Sequence, residues 1–335
     1  MSAAPILLIG GAGLVGSETA RSLRAAHPDA PLLIGGRDLD RANALAAKLG
    51  NAEALRVDLG ADDIAIGDRA LSAIVIFVKD DRLGALRYAL AHDVPHVGIS
   101  TGTFEIAPEV AAWMARPSAT VVLGSEWLAG AAALTTLHVA RDYARLDRIA
   151  LSAVLDEQDI GGPAADADYE RLTSLVPAAL TRTEGRYHWR TADDGPVEVQ
   201  AADGTRMAGF SYSPFDIVSL GARTDARHIA FDIAVGVSST RRAGEALSTE
   251  ILVELEGTAA DGSGKRTRHA LVHPEGQAPL TALALTLILE RLTGLDGDPP
   301  SAPGLYFPDG LVTPERFVKR ALASGATLAE LEALP

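Results

Sequence analysis

Gly10-Gly11-Ala12-Gly13-Leu14-Val15-Gly16 stands between an apolar run at residues 5–10 and a stretch at 14–25 whose apolar positions recur at helical spacing. Gly11, Gly13 and Gly16 match the pattern G-x-G-x-x-G. The glycines serve three physical needs, namely a tight turn, close approach of the backbone to a pyrophosphate, and contact between helix and strand. The N–H groups of Leu14, Val15 and Gly16 would open the helix with no intrahelical acceptor, at the positive end of its dipole. A lone match of this kind is weak. Its position directly after a strand, inside a unit of βαβ length, is the context that makes it read as a dinucleotide site.

The end of the second strand-like run decides between cofactors. A carboxylate about 20 residues beyond the turn would bind a ribose 2′-hydroxyl, whereas an arginine suits a 2′-phosphate. The chain reads Leu33-Ile34-Gly35-Gly36-Arg37-Asp38, with Gly36 where the acid would sit and Arg37 beside it. NADP (NADPH) is therefore the expected cofactor. The competing role for Arg37 is a surface charge paired with Asp38 or Asp40. Asp58, after the third strand, is placed either to accept from the adenine amino group or to cap its own loop.

Ligands of open parallel sheets sit outside the carboxyl ends of the strands, so catalytic groups should come from strand termini. Lys79 follows the strand at 73–78 and is one of only four lysines, with Lys48, Lys265 and Lys319. It could protonate a carbonyl oxygen or an amine nitrogen, oriented by Asp80 and Asp81, or merely pair with those acids at the surface. Glu126 and Trp127, after the sixth strand, offer a carboxylate for a cationic amine and an aromatic wall for the nicotinamide. Glu126 serves equally well as a helix N-terminal charge. His96 and His138 read as core or surface groups, and His188 could reach a substrate from the second domain. The spacings His92/His96 and His269/His273 would suit a metal only on a helix, which neither segment forms, so no metal is expected. A short-chain reductase needs Tyr-x-x-x-Lys, and none of the six tyrosines is followed by lysine four residues later.

Strands alternating with helices through the first third require a parallel sheet covered on both faces. From about residue 147 strand-like segments dominate: 148–155, 187–189, 197–199, 229–237 and 248–255, with a hairpin through Asp261-Gly262-Ser263-Gly264 to 267–272. Helices are expected at 166–180, 278–292 and 313–323. The fold class is α/β: a Rossmann-type doubly wound parallel sheet at 1–125, then an α+β substrate and dimerisation domain at 126–300 with a mostly antiparallel sheet. A C-terminal segment at 301–335 would return to the first domain.

The chain of 335 residues has 47% hydrophobic and 22% charged residues, enough to bury a large core. It has no cysteine, which removes disulfides, thiolate metal sites and thiol nucleophiles. A net charge of −14 argues against binding to nucleic acid or anionic lipid. The N-terminus lacks the pattern of a signal peptide and no segment offers about 18 uninterrupted apolar residues, so a cytoplasmic protein is expected. The apolar strands at 229–237 and 248–255 suggest pairing across a homodimer.

With the glycine turn, Gly36-Arg37, Val57-Asp58, the run 73–78 and the stretch 89–100 ending Val97-Gly98-Ile99-Ser100 in view, the chain resembles the saccharopine dehydrogenase-like family. Gly276-Gln277-Ala278-Pro279 before a long helix extends the likeness weakly into the second half. The resemblance implies a loop over the nicotinamide after the fourth strand and a small polar motif after the fifth. Val78 and Ser100 then fall on the cofactor, and Thr101 toward the substrate. It also implies NADPH-dependent reduction of an imine, or oxidation of the secondary amine. The alternatives are an enoyl reductase-like enzyme of a lipid or polyketide pathway, and a non-catalytic NADP-sensing protein. The family's Asn-x-x-Gly-Pro is here Phe77-Val78-Lys79-Asp80-Asp81, and its Asp-Pro-Gly is replaced by 124–130.

Overall fold

Short apolar runs buried on both faces become strands, and the amphipathic stretches between them become the helices that cover those faces. The computed structural model describes residues 4–159, 161–175 and 178–333. The chain opens with β1 (Ile6–Ile9), α1 (Leu14–Ala26), β2 (Leu32–Gly36), α2 (Leu39–Leu49), β3 (Ala52–Arg56) and β4 (Ala73–Ile76). Then come α3 (Gly84–Ala91), β5 (His96–Gly98), α4 (Ala107–Ala115), β6 (Thr120–Leu123) and α5 (Ala131–Ala140). The middle holds β7 (Tyr143–Asp156), α6 (Pro163–Leu175), β8 (Ala178–Thr183), β9 (Arg186–Thr191), β10 (Val197–Gln200) and β11 (Arg206–Ser211). It continues with α7 (Asp216–Arg223), β12 (His228–Gly236), α8 (Ser239–Arg242), β13 (Thr249–Ala259) and β14 (Gly264–His273). The chain closes with α9 (Gln277–Thr293), β15 (Gly304–Tyr306), α10 (Pro314–Ala323) and β16 (Thr327–Leu331).

These elements form two compact units. The first comprises the chain up to Ser125, Gly162–Asp168 and Thr281–Val312; the second takes Glu126–Gly161, Tyr169–Leu280 and the chain from Thr313 on. This interleaving corrects the linear division expected at residues 126–300 and 301–335. Return to the first unit begins at Thr281, inside α9, because Thr286 Oγ1 bonds Ser22 Oγ at 2.9 Å and Glu290 pairs with His27 at 2.9 Å. The chain beyond Thr313 goes to the second unit because β16 pairs with β14.

In the first unit seven parallel strands run in the order β15-β6-β5-β4-β1-β2-β3. Ile6 of β1 pairs with Leu32 on one side and Ala73 on the other. Strand order therefore reverses at β1, and the crevice of an open α/β sheet lies at the carboxyl ends of β1 and β4. Leu7, Ile9, Leu33, Ile74, Ile76 and Tyr88 pack one buried layer beside it.

The second unit carries a mixed, mostly antiparallel sheet in the order β10-β11-β12-β7-β13-β14-β16, with β8 and β9 off this path. Only β12 and β7 run parallel in it. The hairpin β13–β14 forms at the expected turn. Both β12 and β13 are interior, each paired on both edges within the chain, so neither is open to pair across a dimer. The helix expected at 166–180 is α6, and Ala178 already belongs to β8; residues 176 and 177 lie outside the described residues. Among the described residues, no helix is long and apolar enough to cross a membrane.

Candidate functional site at the strand ends

The glycine turn is built as its spacing requires. Gly10 has φ +83° and its carbonyl accepts the Gly13 N–H at 2.9 Å. A Cβ on Gly11 would lie 2.8 Å from Leu8 O, and one on Gly16 would lie 2.6 Å from Gly10 O and 2.7 Å from Gly11 Cα. Only glycine lets α1 start this close to the turn. The first bond of the α1 ladder runs from Ser17 N–H to Gly13 O at 2.9 Å, so the N–H groups of Leu14, Val15 and Gly16 precede it at the positive end of the helix. Val78 abuts the turn, its Cγ1 3.1 Å from where a Gly10 side chain would begin.

At the end of β2 a Cβ on Gly36 would meet nothing within 4 Å. Arg37 is exposed and forms no hydrogen bond or ion pair among the described residues. The alternative pairing with Asp38 or Asp40 is not what forms: Asp38 Oδ1 accepts the Arg41 N–H at 3.1 Å and caps α2. Arg41, which sequence reasoning passed over, donates from Nη2 to Ala12 O in the glycine turn at 2.8 Å. Two guanidinium groups therefore belong to this corner. Asp58 is exposed and accepts the Gly60 N–H at 2.9 Å, the loop-cap geometry.

At the ends of β4 and β5, Lys79 Nζ pairs with Glu105 Oε2 at 3.0 Å. The same oxygen takes the Gly102 N–H at 2.8 Å. The partner of Lys79 is thus Glu105, correcting the expectation of Asp80 or Asp81. Asp80 is turned away because its Oδ2 accepts the Ala85 N–H at 2.8 Å and caps α3, whose preceding residue Leu83 is left-handed at φ 53°. Thr101 donates its hydroxyl to Glu109 Oε1, and its N–H to Ser125 Oγ at 2.9 Å. Burial pushes the Glu109 carboxyl up, opposed by the Thr101 hydrogen bond and the Lys79 charge. Ser100 Oγ donates to Asp168 Oδ2 at 2.5 Å, so the hydroxyl predicted to face the cofactor is engaged by α6. His96 is buried in β5, and burial holds its imidazole down to about 4.

In the second unit Glu126 is buried at 4% exposure and its carbonyl accepts the Ala129 N–H at 3.0 Å. The chain then passes through three consecutive left-handed residues, Leu128 (φ 51°), Ala129 (φ 56°) and Gly130 (φ 106°). Two of these are not glycine, a strained arrangement of the kind found at functional sites. The Trp127 N–H donates to Asp216 Oδ2 at 2.6 Å, which anchors the turn to the start of α7. The Trp127 ring packs against Phe231 and Tyr212, with centroids 5.3 and 5.8 Å away. Its buried Nε1 has no hydrogen-bond partner among the described residues. His188 is exposed on β9. Glu105, Glu109, Asp168 and Asp216 all escaped sequence reasoning, since each meets its partner across a loop and no motif marks it.

A parallel sheet with a glycine turn at its switch point, continued by a mixed sheet on the same chain, defines a Rossmann-type α/β protein with an α+β partner unit. Its fold is that of saccharopine dehydrogenase-like proteins, as the sequence resemblance implied. No protein-family model matches the chain, and no curated protein matches it in sequence. It is similar to the apo saccharopine dehydrogenase (L-Glu forming) of Saccharomyces cerevisiae, with a TM-score of 0.68 and 13% identity over 98% of this chain and 100% of that one. It is also similar to the homospermidine synthase of Legionella pneumophila solved with NAD, with a TM-score of 0.66 and 9% identity over 99% and 91% of the two chains. At such identities the likeness is one of fold, and function has to be argued from the site.

Proposed function

We propose that this chain is an NADP(H)-dependent oxidoreductase that moves a hydride to or from a C=N or C=O bond of a small metabolite, with an imine or its secondary amine first among them. The observation that carries the reading is the corner formed by the glycine turn, the open Gly36, the unengaged Arg37 and Arg41 bonded to Ala12. It offers cations and no carboxylate at the position that distinguishes a 2′-phosphate from a 2′-hydroxyl. The fold shared with a saccharopine dehydrogenase and an NAD-bound homospermidine synthase supports a nicotinamide cofactor.

In this reading the N–H groups of Leu14, Val15 and Gly16 bind the pyrophosphate, with Gly11 and Gly13 clearing its approach. Arg37 forks onto the 2′-phosphate and Asp58 keeps one oxygen for the adenine amino group. When bound, the nicotinamide supplies or accepts the hydride. Reduction of C=N or C=O also needs a proton at nitrogen or oxygen. Lys79, paired with Glu105, is assigned that proton and Thr101 a place beside the substrate; on the second unit Glu126 is assigned a cationic amine and Trp127 an apolar wall.

Binding of NADPH and NADH to wild type and Arg37→Ala tests the cofactor assignment. Loss of one charge-assisted phosphate contact should weaken NADPH about tenfold or more and leave NADH unchanged. An unaltered preference would falsify the phosphate role. Oxidation of NADPH with a panel of ketones, keto acid–amine mixtures and enones tests the reaction. Turnover of enones alone selects the enoyl reductase reading. Tight NADPH binding without turnover, unaffected by Lys79→Ala or Glu126→Ala, selects a binding protein.

A further inference from the structure

One face of β4 and β5 turns toward α3 and α4, and within the first unit it encloses a small cavity lined by Ile76, Leu83, Leu86, His96, Gly98 and Glu109, with Asp80 at its edge. The cavity offers about 20 Å³. One water needs roughly 10–15 Å³ and two to four polar partners. The volume suffices for one, and His96, Asp80 and Glu109 stand among the lining residues. Nδ1 of His96 is buried and has no hydrogen-bond partner among the described residues, and the same holds for Oδ1 of Asp80, whose other oxygen caps α3. Glu109 has one carboxyl oxygen engaged by Thr101. Two buried polar atoms left dry in one small space are costly, whereas a shared water satisfies both.

We propose that this cavity is a binding site for one water molecule, which bridges Nδ1 of His96 to Oδ1 of Asp80 and to the Glu109 carboxyl. The donors and acceptors balance. A water gives one proton to Asp80 and one to the lone pair of an imidazole protonated on Nε2, and it accepts from a carboxyl proton of Glu109. Burial favours the neutral form of both the His96 ring and the Glu109 carboxyl, which is the pairing this arrangement needs. The charged groups around Glu109 are Lys79, Glu105 and Asp80, and they sit in the two loops that the water joins. The water thereby ties the turn that caps α3 to the Thr101 loop, on either side of Lys79. None of this depends on the redox reading.

Gly98 is one of the residues that line the cavity. A Cβ there would lie 3.5 Å from both His96 Cε1 and Ile76 Cγ2, ordinary contact, and Gly98 does not have a positive φ. Gly98→Ala therefore narrows the cavity beside His96 without a clash, and the sign of its effect is informative. If the site holds water, a methyl at its wall crowds that water and weakens its bonds to His96, Asp80 and Glu109. The melting temperature of the full chain should then fall by roughly 2–4 °C or more. If the cavity is dry, the methyl gains contacts and the melting temperature rises, which overturns the proposal. Because a fall alone could come from repacking, a high-resolution crystal structure of the wild type supplies the second measurement. It should show a single water within hydrogen-bonding distance of His96 Nδ1; no such water in the wild type overturns the proposal whatever the melting shift.

Discussion

Gly36 and Gly16 are both glycines of the nucleotide corner, yet their surroundings predict opposite outcomes for substitution. An added side chain at Gly36 meets open space, so Gly36→Asp should fold normally and place a carboxylate where a 2′-hydroxyl would bind. The ratio of NADH to NADPH affinity should rise at least about tenfold, read by fluorescence titration of both cofactors. At Gly16 a methyl meets the backbone of Gly10 and Gly11 inside van der Waals distance, and backbone cannot swing aside. Gly16→Ala should cost about 1–3 kcal/mol in chemical unfolding and abolish binding of either cofactor. His96 predicts a pH effect. Its folded value, about 4, lies below the unfolded 6.5, so the unfolded chain takes up the proton first as pH falls. The stability present above pH 6.5 is therefore lost progressively between about 6.5 and 4, by on the order of 3 kcal/mol. Urea melts across that range should show a shallower decline for His96→Gln.

At the scale of elements, the turn after β6 is unconventional backbone, with three consecutive left-handed residues. Left-handed geometry at Leu128 and Ala129 costs roughly 1–2 kcal/mol for each residue, and something must hold it. The Trp127 N–H bonded to the buried carboxylate of Asp216 is the visible tie. Asp216→Ala should destabilise by about 1–3 kcal/mol and alter Trp127 fluorescence, because the ring packed on Tyr212 and Phe231 loses its anchor. Unchanged fluorescence would place the restraint elsewhere. The strands and helices from β1 to β6 were legible because each is a local pattern: a short apolar run or a period of 3.6. The elements β8, β11, α7, β15 and β16 were not, since they are short and half-polar, and their pairing partners rather than their own residues make them regular.

At the scale of the molecule, interleaving of the two units constrains how the chain can be cut. β15 extends the parallel sheet beside β6, where Thr120 Oγ1 bonds Ala302 O at 2.8 Å, and Ser22 and His27 of α1 and its C-cap bond α9. A truncation ending at residue 280 strips these contacts and bares β6 as an edge, so it should be insoluble or unfold at markedly lower denaturant than the full chain. A homodimer remains the proposed assembly, to be checked by light scattering, but the interior strands β12 and β13 leave its contact to other surfaces.

What the amino-acid sequence determined by itself was local and steric. The glycine turn, the strand–helix alternation and the absence of an acid at Gly36 follow from backbone freedom and hydrophobic period, which need no distant partner. Tertiary structure alone decided that Lys79 faces Glu105, that Asp38 caps α2 and leaves Arg37 open, and that Arg41 reaches Ala12. It also decided that Ser100 is taken by Asp168 and that His96, Gly98 and Glu109 come together around one small cavity. Each of these joins residues on separate elements, and hydrogen-bond partners at such separation are set by how strands and helices pack rather than by spacing along the chain.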